Sequence, residues 1–156
     1  MSMKSHYCIV VWEGTELVGK STLKKEFEIA TNFRHLCVDR MFITSLVYNA
    51  FKGRHADLEE EILNDLEFFI GEFDPLFVIV ETSEEVKMKR FEKRGEWYIT
   101  PEEFSSLAET FREVVNKLLK QYPRNFLVIR NDEDDDIITN VEIVKSAVEA
   151  KITGRK

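Results

Sequence analysis

Gly14-Thr15-Glu16-Leu17-Val18-Gly19-Lys20-Ser21 fits the spacing G-x-x-x-x-G-K-[ST] at every fixed position. Glycines at both ends let the backbone turn tightly, so that successive N–H groups point inward at phosphate oxygens. The positive end of a following helix adds to that attraction. Lys20 would reach the β and γ phosphates of a bound ATP, the Ser21 hydroxyl would ligate Mg2+, and Thr22 would support the α phosphate. The competing explanation is a glycine-bearing strand–helix turn that carries Lys-Ser by chance. Four fixed positions between a buried strand and a helix weigh against it.

Other residues could do chemistry beside this loop. Asp39 and Arg40 follow a short apolar run, which would place them at the carboxyl end of a parallel strand, where open α/β sheets bind ligands. There Asp39 could take a proton from an attacking hydroxyl or hold a Mg2+-bound water. Arg40 could grip an acceptor phosphate in a fork. Alternatively the two pair with each other or cap the next helix. Arg90 and Arg94 are four apart and share a helix face, so both could stabilise charge on a transferring phosphoryl group. The alternative is a solvated face, since Glu84, Glu85, Glu92 and Lys93 are nearby. Arg94-Gly95 ahead of Trp97-Tyr98 favours a small lid over 90–100, a lid needing a hinge and something to exclude water. Trp97 and Tyr98 are then candidate ligand contacts, whereas Phe42 fits the core.

The acidic run Asp132-Glu133-Asp134-Asp135-Asp136 could bind a metal, but reads better as a solvated loop and helix cap. Cys8 and Cys37 sit in apolar runs without CxxC spacing and read as buried thiols.

Positioning these residues requires alternating strands and helices. Strands are expected at Tyr7–Trp12, His35–Val38, Leu76–Val80 and Asn125–Ile129, each apolar and bounded by turn residues. Helices are expected from Gly19 or Lys20 to about Ala30, Met41 to about Lys52, Asp57 to Phe73, Glu84 to Arg94, about Pro101 onward, and a last one marked by Ile137, Val141, Val144 and Val148. Asp57 is expected to cap the third, with a buried stripe of Leu58, Ile62, Leu66, Phe69 and Phe73. Thr100, Pro101 and Glu103 form a capping box with proline at the first helical position. Strands separated by helices imply βαβ units: one α/β domain over 1–156, a three-layer fold with a four-stranded, or five-stranded, parallel sheet in the order 2-1-3-4.

The 156 residues suit one domain, with 44% hydrophobic and 33% charged residues. No apolar run approaches the about 20 residues a membrane span needs. The opening residues run into a strand-like segment without a secretory pattern, so a cytoplasmic protein is expected. A net charge of −7 weighs against a general nucleic-acid binder.

Three segments resemble a known family. Trp12 to Thr22, with Glu13-Gly14 before the loop and Glu16 within it, looks like the opening of thymidylate kinases and deoxynucleoside kinases. Asp39-Arg40-Met41-Phe42-Ile43-Thr44-Ser45-Leu46-Val47-Tyr48 is similar to their Asp-Arg block, in which a serine and an aromatic follow. Arg90-Phe91-Glu92-Lys93-Arg94-Gly95 resembles the segment that opens their lid. The resemblance implies an ATP- and Mg2+-dependent kinase with Lys20, Asp39, Arg90 and Arg94 as catalytic residues. It implies an acceptor site at Glu16, Arg40, Ser45 and Tyr48, and an adenine side near Asn131 and Asp132. It leaves a homodimer open.

One departure stands out. The stretch between Lys20 and Asp39 is much shorter than in those kinases, where another strand and helices build the acceptor pocket. A small nucleotide acceptor remains the expected partner. A nucleic-acid end or modified base is a second reading, with Lys52, Arg54 and His55 as a local basic patch. A non-catalytic ATP-binding module is a third. No guanine-reading Asn-Lys-x-Asp segment is present, which argues against a GTPase.

Overall fold

A computed structural model of the chain describes residues 6–15, 18–53, 55–94, 100–133 and 136–155. In chain order they form β1 (Ile9–Glu13), α1 (Lys20–Ala30), β2 (Leu36–Asp39), α2 (Ile43–Phe51), α3 (Ala56–Phe73), β3 (Leu76–Glu81), α4 (Glu84–Arg94), α5 (Pro101–Gln121), β4 (Phe126–Arg130) and α6 (Asp136–Thr153). The four strands make one sheet in the order β2-β1-β3-β4. All three pairings are parallel, so the expected order 2-1-3-4 is the observed one, with no fifth strand among the described residues.

Side-chain alternation along β1 and β3 divides the core. Val11, Phe77 and Ile79 face α2, α3 and α5, joining Ile43, Val47, Leu66, Phe69, Leu107, Phe111 and Val115. Val10, Trp12, Val78 and Val80 face α1 and α6, joining Leu23, Phe27, Val141, Val144 and Val148. Because the central strands are covered on both sides, their sequences are continuous apolar runs rather than alternating ones. Trp12, Phe27 and Phe77 are fully buried, each contributing about 1.5–3 kcal/mol of transfer free energy. Phe77 and Phe126 stack with ring centroids 4.8 Å apart, which locks β3 to β4.

Several local expectations change. The helix after β2 begins at Ile43 rather than Met41, because Met41 and Phe42 form a tight turn instead of a first helical turn. His55 occupies the N-cap of α3, and Asp57 lies inside its first turn, where it faces the helix dipole without capping. Of the expected α3 stripe, Leu66 and Phe69 are buried together with Ile70, whereas Leu58 and Phe73 are exposed. Only the middle of α3 therefore packs on the core. Ala30 is exposed, and Val115 rather than Val114 is buried in α5. The Thr100–Glu103 capping box and Pro101 at the start of α5 are present as expected. Cys8 is buried, Cys37 half-buried, and both are free thiols.

Since the strands are parallel, Glu13, Asp39, Glu81 and Arg130 all end on the same side of the sheet. The opposite side is closed by a different cluster. Asp74 pairs with Lys151 at 2.7 Å and Arg155 at 3.1 Å. Arg155 also donates to the carbonyl of Tyr7 at 2.7 Å, and Asn125 donates to Asp74 at 3.1 Å.

Candidate active site

The described part of the phosphate loop leaves β1 at Gly14 and enters α1 through Val18 and Gly19. A Cβ on Gly14 would lie 2.9 Å from the carbonyl oxygen of Val80, so the loop passes too close to β3 for any side chain. Gly19 has φ +77°, and a Cβ there would meet Asn131 Nδ2 at 2.4 Å. Gly14 is thus required by contact with backbone, and Gly19 by its left-handed conformation beside the Asn131 side chain. Gly19 is the N-cap of α1 and brings no side-chain cap bond, and the first turn of α1 holds no acidic residue. The amide end of this helix faces a groove, ready for an anion.

That groove encloses about 370 Å³ between Thr15, the Val18–Thr22 stretch, Asp39, Arg40 and Arg94. Lys20 is nearly buried and ion-pairs with Asp39, whose side chain is half exposed. Burial lowers the Lys20 pKa below that of an ordinary lysine, against the pull of Asp39. A second, adjoining cavity of about 490 Å³ lies between Gly19, Thr22, Arg90, Lys93, Arg94, Asn131 and Ile137. Arg94 borders both spaces, and Arg90 Nη2 donates to the carbonyl of Asp132 at 3.3 Å. The two arginines of α4 therefore share the face that looks at the phosphate loop.

On the other flank, Gly14, Thr15, Arg40, Thr44, Val47, Tyr48, Leu107 and Phe111 line a narrow slot of about 20 Å³, room for about one water. Tyr48 is half-buried in its wall. Ser45 lies on the exposed face of α2 and lines none of these three spaces. Phe42 is half-buried, its ring 5.4 Å from Phe69, and packs against the core as expected.

The two residues expected on the adenine side separate. Asn131 is buried, donates Nδ2 to the carbonyl of Val18 at 2.8 Å and lines the second cavity. It braces the loop. The Asp132 carboxylate is engaged by the Ser83 amide at 2.7 Å and by Arg130 Nε at 3.1 Å, so it anchors the start of α4. Asp136 Oδ2 accepts from the amides of Asp132 and Glu133, which ties the loop after β4 to the first residue of α6. No cluster of three or more His, Cys, Asp or Glu suited to a metal occurs among the described residues. Glu16, Leu17, Arg54, Gly95, Trp97 and Tyr98 lie outside the described residues, as do Asp134 and Asp135.

One group that the sequence reading used only as part of a motif is central here. Glu13 ends β1 fully buried. One of its carboxylate oxygens accepts the Met41 amide at 2.5 Å, and the other accepts the Thr44 hydroxyl at 2.9 Å. Burial pushes its pKa up to about 7 despite these two donors. Between the donors, Phe42 has φ 64° and ψ −54°, and Ile43 N donates to Met41 O at 2.7 Å. That is a γ-turn of the strained hand, and Arg40 before it also has φ 61°. Each such residue costs about 1–3 kcal/mol. A charged residue closing an otherwise apolar strand was the available signal for Glu13.

Sheet order and loop together give the P-loop α/β fold that solved kinases also have. A deoxyadenosine kinase from M. mycoides with bound dCTP superposes with a TM-score of 0.60 over 91% of this chain and 99% of that one, at 14% identity. A thymidylate kinase from Ehrlichia chaffeensis gives 0.56 over 90% and 98%, also at 14% identity. The resemblance to these kinases thus holds at the level of the fold. No protein-family model and no curated protein matches the sequence. Among the described residues, no helix is long and apolar enough to cross a membrane.

Proposed function

We propose that the chain is a cytoplasmic, ATP-dependent phosphotransferase that moves the γ phosphate of ATP to a nucleotide, as a deoxynucleoside monophosphate kinase of the thymidylate kinase type does. The observation that carries this reading is the groove in which Lys20, Ser21, Asp39, Arg40 and Arg94 converge on the amide end of α1. Catalysis of phosphoryl transfer is mostly positioning and charge stabilisation, and these residue types supply both.

The phosphates of ATP occupy the loop, and Lys20 exchanges Asp39 for the β and γ oxygens. An oxygen of the acceptor phosphate, held by Arg40, attacks the γ phosphorus. The bond to the β–γ bridging oxygen breaks, and ADP leaves with that electron pair. Arg90 and Arg94 offset the negative charge on the moving group. A phosphate oxygen needs no base, so Asp39 would help hold a Mg2+-bound water; toward a hydroxyl acceptor it would instead take the proton. Ser21 and Asp39 border one groove and offer the one or two protein oxygens that Mg2+ takes beside phosphates and water, so the donor set fits this ion. Bound Mg2+ would neutralise charge on the β and γ phosphates.

The narrow slot behind Arg40 and Tyr48 admits little more than a water. An acceptor base therefore lies across its mouth rather than inside it. That openness favours one second reading, transfer to the 5′ end of a nucleic acid. The test is incubation with γ-labelled ATP, Mg2+ and a panel of deoxynucleoside monophosphates, deoxynucleosides and 5′-hydroxyl DNA and RNA, with Lys20→Ala as control. Label on one monophosphate, lost in the variant, supports the nucleotide kinase. Label on nucleic acid alone replaces it with the second reading. Bound ATP without transfer would leave an ATP-binding module.

A further inference from the structure

We propose that Glu13 is a positioning residue for phosphoryl transfer, its carboxylate clamping the Met41–Ile43 turn so that Asp39 and Arg40 stand over the phosphate loop. The inference rests on the kinase reading above and adds a residue that contacts neither nucleotide.

The geometry is specific. Glu13 immediately precedes Gly14, yet its two oxygens reach away from the loop to the segment after β2. Its two donors flank the turn, the Met41 amide on one side and the Thr44 hydroxyl on the other. Between Asp39 and Ile43 the chain carries two non-glycine residues at positive φ, Arg40 and Phe42. Local preference does not hold such a backbone; it persists only where surrounding contacts over-determine it. The other anchors are the Arg40 amide on the Trp12 carbonyl at 3.0 Å and the Phe42 ring against Phe69. Of these, Glu13 alone grips the turn from both sides, and hydrogen bonds to a carboxylate are the stronger kind. An apolar residue would bury more favourably at the end of β1, where its neighbours Val10, Val11 and Trp12 are all buried. Relaxing the turn would rotate the backbone at Arg40 and displace Asp39 from Lys20. The phosphate loop itself would keep its independent brace, Asn131 on the Val18 carbonyl.

The experiment compares Glu13→Ala, Glu13→Gln and Thr44→Val with wild type. It measures hydrogen exchange of residues 39–44, ATP Kd, and kcat and KM for the acceptor found in the labelling screen. In Glu13→Ala, exchange over 39–44 should rise while that of α1 stays constant. ATP Kd should hold within about threefold while kcat/KM falls about 100-fold, mainly in kcat, the order expected for a 1 Å misplacement. Glutamine keeps an acceptor for the Met41 amide and offers a donor to Thr44, so Glu13→Gln should recover most of the loss.

Parallel losses of ATP affinity and kcat/KM in Glu13→Ala would assign Glu13 to general support of the loop and overturn the proposal. So would a Glu13→Ala variant that matches an active wild type. Should Glu13→Ala fail to fold, Thr44→Val decides: slower transfer with unchanged ATP Kd supports the clamp, and wild-type exchange and kinetics overturn it. A wild type that transfers to no acceptor fails the kinase reading, and the clamp's catalytic purpose with it. The exchange data then still report whether Glu13 holds the turn.

Discussion

The two ends of the sheet both carry charge, but they use it in opposite ways. At the amino ends of the strands, Asp74 is surrounded by Lys151, Arg155 and Asn125, and Arg155 also holds the carbonyls of Tyr7 and Asp74. Each charge there is met by a partner from another element, so the cluster sews α6 to the starts of the sheet. At the carboxyl ends, Lys20, Arg40 and Arg94 border a groove together with Asp39, among the described residues. Charge that ties element to element holds a fold together; cations gathered around a cavity at a helix amide end suit an anionic ligand. The proposed division is that one end stabilises and the other reacts.

Lys20→Ala should give the largest effect, and on activity alone. Removing one preorganised charge from a transfer site costs about 10²–10³ in rate, so kcat/KM should fall at least that far while the thermal midpoint changes little. The Lys20–Asp39 pair is half exposed on the Asp39 side and contributes little to stability. A drop in thermal stability with activity intact would place Lys20 with the sewing cluster and break the comparison.

Asp74→Ala is the mirror experiment. It strands Lys151, whose side chain is 4% exposed, without its carboxylate. Breaking such a pair from one side costs about 3–5 kcal/mol when both partners are buried; with Asp74 partly exposed, about 2–3 kcal/mol is expected. Urea unfolding measures this, and ATP Kd should be unchanged. A weakened ATP Kd in a folded variant would show the two ends to be coupled.

Much of the fold was readable before any coordinates. Apolar runs gave the strands, the Thr100–Glu103 box gave the start of α5, and the loop spacing gave Gly14, Gly19, Lys20 and Ser21. What escaped depends on contacts distant in sequence. Helical spacing runs smoothly through Met41 and Phe42, and the contacts around their turn come from Glu13 on β1 and Phe69 on α3. Asp57 has the composition of a cap, but His55 takes that position. Asn131 and Asp132 are adjacent and alike in type; one braces the loop and the other the start of α4, a difference set by Val18 and Ser83. The whole Asp74 cluster went unread, since its members come from four separated segments.

The pH dependence of stability sharpens the contrast, because buried Glu13 and half-buried Asp74 shift in opposite directions. Burial pushes Glu13 up to about 7, with Lys20 and Arg40 facing it and pulling the other way. Its contribution is fully present below its unfolded value and is lost as pH rises through about 7. Burial also raises Asp74, but bonds from Lys151 and Arg155 outweigh it and hold the carboxyl below its usual value. Its contribution is present above the unfolded value and is lost as pH falls through the lowered one. Glu13→Gln should therefore gain on wild type between pH 5 and pH 8, by on the order of 2 kcal/mol. Asp74→Asn should lose least at acid pH. A Glu13→Gln difference that stays constant from pH 5 to pH 8, or an Asp74→Asn difference that does not shrink as pH falls below the ordinary carboxylate range, would remove the electrostatic basis of the corresponding statement.

The smallest expected effect tests whether position at the reactive end is enough to matter. Arg130 ends β4 on the same side as the groove and pairs with Asp132 at 3.1 Å, but its side chain is 64% exposed. An exposed pair of this kind is worth about 0.2–1 kcal/mol. Asp132 keeps its second partner, the Ser83 amide, when the guanidinium is removed. Arg130→Ala should therefore cost less than about 1 kcal/mol in urea unfolding and leave ATP Kd and kcat/KM at wild-type values. If transfer slowed while stability held, the reactive zone would extend past Arg94 and Asn131 to the end of β4. The boundary between sewn and open charge would then have to include the Arg130–Asp132 pair beside Asn131.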